Sequence, residues 1–204
     1  MKQQTKLFKI LGIMLASLIL LAGCSNSSEE TPVASSTTTV INDVTINSTM
    51  VDMSDYEDMP VAGHQFEAIT PSEFVRVMEA GVSGYFYFGY HSCPFCNKAT
   101  SVLNEAAADE DVTIYYINVY PDEEPENFDE DMDAVLNALS DVLDKDESGN
   151  PEFYVPHLFV IENGEVIDQH VSLVDSYQGS GADLTTAQHN ELVGIYKDMI
   201  EELK

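Results

Sequence analysis

The sequence predicts an α/β domain, a central mixed β-sheet flanked by helices, preceded by a leader and a flexible linker. Three observations carry that reading. The aromatic, almost uncharged run Gly84 to Tyr90 fits a strand buried on both faces, and Val112 to Val119 fits a second one, with a helical stripe between them. Strand, helix and strand in that order imply a parallel crossover. The dipeptide Asn163-Gly164 between two apolar runs, residues 157–162 and 165–171, signals an antiparallel hairpin, which makes the sheet mixed.

The first 23 residues stand apart. Lys2, Lys6 and Lys9 precede an apolar run from Ile10 to Ala22, broken only by Gly12 and Ser17, which is the layout of a secretory signal peptide. The 16 residues from Leu7 to Ala22 fall short of the roughly 18 to 20 that span a bilayer as a helix. Leu21-Ala22-Gly23-Cys24 resembles the lipobox of bacterial lipoproteins. That resemblance implies a lipid on Cys24 and a place on the extracytoplasmic face of the bacterial cell membrane. Residues 24–63 are rich in Ser, Thr and acids, show no apolar period, and read as a flexible tether.

Charge narrows the partners. The chain carries 36 acidic against 8 basic side chains, a formal −28. Three of the basic residues lie in the leader, so its removal leaves 5 bases against the same 36 acids, a formal −31. Nucleic acid and anionic lipid headgroups are therefore excluded as contact partners, and a cationic peptide suits the surface.

The domain reading covers residues 64–204. Phe66 to Ile69 is a short strand, and Thr70-Pro71-Ser72-Glu73 opens a helix whose apolar positions are Phe74, Val77 and Met78. Phe95 to Ala108, with Val102, Leu103, Ala106 and Ala107, is the crossover helix. An acidic helical insertion occupies about 121–150, with Met132, Val135, Leu136, Leu139, Val142 and Leu143 forming a stripe behind Asp129-Glu130-Asp131. Thr185 to Leu203 closes the chain as a helix with Leu192, Ile195, Tyr196, Met199 and Ile200 on its apolar face.

Cys93-Pro94-Phe95-Cys96 falls between the first buried strand and the crossover helix. Two cysteines so placed are a redox couple, part of a metal site with His91 or His157, or a structural disulfide in a binding module. A structural staple gains most by closing a long loop, and this pair closes almost none. Zinc usually takes four ligands, and there is no second Cys-x-x-Cys.

With that motif, Val155-Pro156 before a strand and the hairpin Val160 to Ile167, residues 63–204 resemble the thioredoxin superfamily. Within it they are similar to the small thioredoxin-like accessory proteins found with exported bacterial peptides, bacteriocins among them. The resemblance implies a thiol–disulfide oxidoreductase with Cys93 as nucleophile and Cys96 as resolving thiol. A cysteine at a helix amino terminus favours its thiolate, and a second cysteine one turn on can close the disulfide.

It also implies a cis peptide at Val155-Pro156 that faces the cysteine pair and presents a backbone edge to the substrate chain. Beside it, His157 is a candidate substrate contact by its place after Pro156, and His91, two residues before Cys93, is a candidate modulator of that thiol. No separate cofactor and no metal are expected, since the Cys93–Cys96 pair carries the electrons. Expected partners are disulfide-containing or dithiol peptides and proteins, the membrane through Cys24, and a membrane redox partner. The chain departs from the family where Ser92 replaces the usual tryptophan and Tyr87 replaces the usual buried acid.

Overall fold

The computed structural model describes residues 36–41, 44–179 and 182–204. Seven strands form one sheet: β1 (Ser36–Ile41), β2 (Val44–Met50), β3 (Phe66–Ala68), β4 (Gly84–Gly89), β5 (Ile114–Asn118), β6 (His157–Glu162) and β7 (Glu165–Val171). Their spatial order is β1-β2-β3-β5-β4-β6-β7. β3, β5 and β4 run parallel, while β6 joins β4 antiparallel and β7 joins β6 antiparallel. Among the described residues the helices are α1 (Pro71–Glu79), α2 (Pro94–Glu110), α3 (Phe128–Leu139) and α4 (Thr186–Glu201). From β3 onward this is the thioredoxin-like α/β arrangement that the sequence predicts.

Side-chain alternation on the strands divides the core in two. Tyr85 and Tyr87 of β4, Ile114 and Tyr116 of β5, and Leu158 and Val160 of β6 pack with α2 and α4. Phe86, Phe88, Tyr115, Ile117, Phe159 and Ile161 pack on the other face with α1 and α3. Every residue of β4 is buried, because helices cover it on both sides.

Local chemistry sets the ends of the elements. Thr70 caps α1 by accepting the Glu73 N–H at 3.1 Å, and Thr185 with Gln188 forms a capping box on α4. Asn163 and Gly164 both take positive φ in the β6–β7 turn. A side chain at Gly164 would bring its Cβ within 2.3 Å of the Met78 carbonyl.

Two expectations are corrected. The tether expected over 24–63 is ordered structure wherever it is described: β1 and β2 extend the sheet, and β2 pairs with β3. Its composition hides strands because Thr, Val and Ile are β-branched, and Ile46 and Ser48 alternate inward between exposed Thr45 and Asn47. Beyond β2, Met53 and Tyr56 enter the α2/α4 core. The second correction concerns the acidic insertion, where the helix ends at Leu139. Val142 and Leu143 follow it in a turn closed by bonds from their N–H groups to the Leu139 carbonyl, and Leu143 remains buried. The leader, Cys24 and residues 24–35, 42 and 43 lie outside the described residues.

Candidate active site

After β4 the chain turns through Tyr90, His91 and Ser92 into α2, and the Cys93 N–H donates to the Tyr90 carbonyl at 3.2 Å. Cys93 has extended backbone and caps α2, its Sγ accepting the Cys96 N–H at 3.3 Å. Pro94 takes the first helical position, where no N–H is needed. The Cys93 sulfur therefore faces the unpaired amides and the positive end of the helix dipole.

These contacts separate the two thiols. The Cys93 thiol is lowered to about 6, chiefly by the hydrogen bond from the Cys96 thiol; burial opposes this, and the N–H groups of Cys96 and Phe95 assist. Cys96 moves the other way, raised by that same contact and then by burial, with the Tyr90 backbone and the Tyr87 hydroxyl pulling it down. Cys93 retains 6% exposure and Cys96 none. At neutral pH one sulfur is a thiolate with a narrow opening to solvent and the other a fully buried thiol, an asymmetry that suits attack followed by resolution.

Asn97 fixes the approach. Its Nδ2 donates to the Cys93 carbonyl at 3.2 Å and to the His91 carbonyl, and its Oδ1 accepts the Glu57 N–H at 2.8 Å. Beside the helix start lies a groove lined by Asp55, Glu57, His91, Ser92, Pro94 and Lys98. His91 is thus brought next to the cysteine pair. Asp55 and Glu57 come from the segment read as tether, and their place here is not visible in the sequence.

The Val155–Pro156 peptide is cis. Val155 packs against the core cluster that contains both cysteines, and the Pro156 carbonyl accepts the Ser172 N–H at 2.8 Å. His157 is a correction to the expected substrate contacts. As the first residue of β6 it points opposite to Leu158, toward the α1/α3 face, and its ring lies 3.9 Å from that of Phe159. Only 4% of it is exposed, and its Nε2 is 3.0 Å from Gln169 Oε1. Burial lowers it to about 4, so it is neutral and structural. It shares no site with Cys93, because the sheet lies between them.

A hydroxyl cluster surrounds Cys96 instead. Tyr87 is fully buried, with its hydroxyl 2.8 Å from Thr100 Oγ1, and Thr100 donates to the Cys96 carbonyl at 2.6 Å. The Tyr116 hydroxyl donates to the Gly89 carbonyl at 3.2 Å and pairs with Tyr56 at 2.8 Å. Two signals in the sequence point to the first pair: Tyr85 and Tyr87 share a strand face, and Thr100 lies one helical turn beyond Cys96. Among the described residues, no group of three or more His, Cys, Asp or Glu side chains is placed to hold a metal ion, and no helix is long and apolar enough to cross a membrane.

No family model matches the chain, and no curated protein sequence does. Among solved structures it is similar to thioredoxin from Aeropyrum pernix, at 17% identity and a TM-score of 0.41, over 67% of this chain and 85% of that one. It is similar also to thioredoxin O2 from Arabidopsis thaliana in its oxidized state, at 20% identity and a TM-score of 0.39, over 69% of this chain and 95% of the other.

Proposed function

We propose that this protein is a thiol–disulfide oxidoreductase acting through Cys93 and Cys96 on exported peptides or envelope proteins, held at the outer face of the cell membrane by a lipid on Cys24. The observation that carries the activity is the Cys93 sulfur at the start of α2, hydrogen-bonded by the Cys96 N–H at 3.3 Å and ionised near neutrality.

The Cys93 thiolate attacks one sulfur of a substrate disulfide, forming a mixed disulfide and releasing the other sulfur as a thiolate. Cys96, as its thiolate, then attacks the Cys93 sulfur. The second substrate sulfur leaves and takes up the proton lost by Cys96, and two electrons have passed to the substrate. Run backwards, the same steps donate the disulfide. No cofactor beyond the cysteine pair is needed, and a membrane redox partner would reset it. Val155 and Pro156 would border the substrate chain, and His91 with Asp55 and Glu57 would face it across the groove, where a cationic peptide fits best.

The test is the reduction potential of the pair in the full chain, set by thiol redox buffers and read by counting free thiols. A value between roughly −270 mV, as in thioredoxin, and roughly −120 mV, as in a strong disulfide donor, supports the reading and assigns direction. A pair that does not cycle in these buffers would overturn it.

A further inference from the structure

We propose that Tyr87 is the positioning residue for Cys96, a hydroxyl rotor that supports the resolving thiolate without a carboxylate. This rests on the oxidoreductase reading above. The buried polar side chains among the described residues are Ser48, His64, Glu73, Thr100 and His157. The single carboxylate among them, Glu73, is engaged by Arg76 and Asn47 on α1 and β2. The cysteine side of the sheet presents hydroxyls instead: Tyr56, Tyr87, Tyr116, Tyr196 and Thr100.

Proton counting orients them. Thr100 has one hydroxyl proton, and it goes to the Cys96 carbonyl, which can only accept. The 2.8 Å contact between Thr100 Oγ1 and the Tyr87 oxygen therefore requires Tyr87 to donate. In the mixed disulfide, where Cys93 is no longer a thiolate holding the Cys96 S–H, the phenol oxygen has acceptor capacity left for that proton. When Cys96 ionises, that S–H is gone. The Tyr87 O–H then gains by turning from the neutral Thr100 oxygen to the charged sulfur, since hydrogen bonds to ions are the stronger ones.

The ring is held so that only the hydroxyl can turn. It stacks on Tyr116 at 6.1 Å between centroids and meets Phe66 edge-on at 5.9 Å. Its Cε1 lies where Gly89 leaves room, 2.9 Å from the Cβ that any other residue would place there. Burial keeps Tyr87 protonated, so it supports Cys96 as a donor and does not remove its proton. In the resolving step, Cys96–SH and Cys93–S–S–R become the Cys93–Cys96 disulfide and R–SH. The proton that leaves Cys96 is the one the departing sulfur takes up, so the step balances.

Dithiobis(nitrobenzoate), an aryl disulfide, separates the two steps on the full chain. The first aryl thiolate appears when Cys93 attacks, at a rate set by reagent concentration. The second appears when Cys96 resolves, independent of reagent concentration. Tyr87→Phe is expected to slow the second phase by roughly tenfold, the order of one charge-assisted hydrogen bond, and to move its pH midpoint up, with the first phase unchanged. Thr100→Val keeps the side-chain shape and frees the Tyr87 proton, so it is expected to act in the opposite direction, speeding the second phase. A second phase unchanged in Tyr87→Phe, or both phases slowed together, would overturn the rotor. A wild-type chain that releases no aryl thiolate would remove the oxidoreductase reading and this inference with it.

Discussion

The Glu57 backbone N–H donates to the Asn97 side chain at 2.8 Å, tying a segment 40 residues upstream to the first turn of the helix that carries Cys93. The same segment places Met53 and Tyr56 in the core around the cysteines. The domain therefore begins well before the point at which the composition changes.

Met53 is fully buried, and Met53→Ala is expected to lower the unfolding free energy by about 2 to 4 kcal/mol, the usual range for a buried truncation of this size. Urea unfolding of the reduced chain measures it. A chain cut at residue 63 should lose more than this single change, since β2 and Tyr56 go with it. Equal stability of the cut and full chains would show that the upstream segment is not part of the domain.

Cys93 sets a pH window. Alkylation at Cys93 is expected to follow a single titration with its midpoint near 6, and Cys93→Ser should abolish it. Because the folded value lies below the ordinary thiol value of 9.0, the unfolded chain binds more protons between them. The stability of the reduced form should therefore rise with pH from about 6 to about 9 and lose this contribution as pH falls through 6. Comparing wild type with Cys93→Ser by urea unfolding across this window isolates the effect, and a constant difference would refute it.

His157 acts in the opposite half of the pH scale. Burial holds its folded value at about 4 against an ordinary 6.5, so acidification between those values protonates the unfolded chain first and destabilises the fold. His64 and His170 are also lowered by burial and contribute in the same direction. Substituting His157→Phe should flatten part of the loss of Tm between pH 6.5 and 4. Peptide disulfide turnover at pH 7 should be unchanged, because the ring faces away from the cysteines.

At the β6–β7 turn, Gly164 has φ +83° and its missing side chain leaves room for the Met78 carbonyl. Gly164→Ala combines left-handed strain with a backbone clash, and a loss of about 2 to 4 kcal/mol is expected from urea unfolding. A neutral result would mean that α1 can shift away from the turn at no cost.

Much of the fold is legible because buried strands and capped helices leave strong local patterns. Gly84 to Tyr90 is apolar on both faces, Thr70-Pro71 marks a helix start, and Asn163-Gly164 marks a tight turn, so each element follows from its own residues. The first two strands were not legible, since Ser- and Thr-rich sequence serves a linker and a β-branched edge strand equally well. The end of α3 was missed because Val142 and Leu143 continue the apolar spacing past the point where the backbone leaves the helix.

For the site, the sequence by itself determined the pair of unequal thiols: two cysteines at a helix start need only their spacing and the helix dipole to differ. Tertiary structure alone decided what surrounds them. Strand alternation turned His157 to the far face although it adjoins Pro156 in the chain, and sheet pairing carried Asp55, Tyr56 and Glu57 to the cysteines from a stretch without apolar period. Packing also set Tyr87 against Thr100, 13 residues away. Local sequence encodes backbone conformation and intrinsic reactivity, whereas the neighbours that tune a buried thiol come from segments that meet only when the sheet closes.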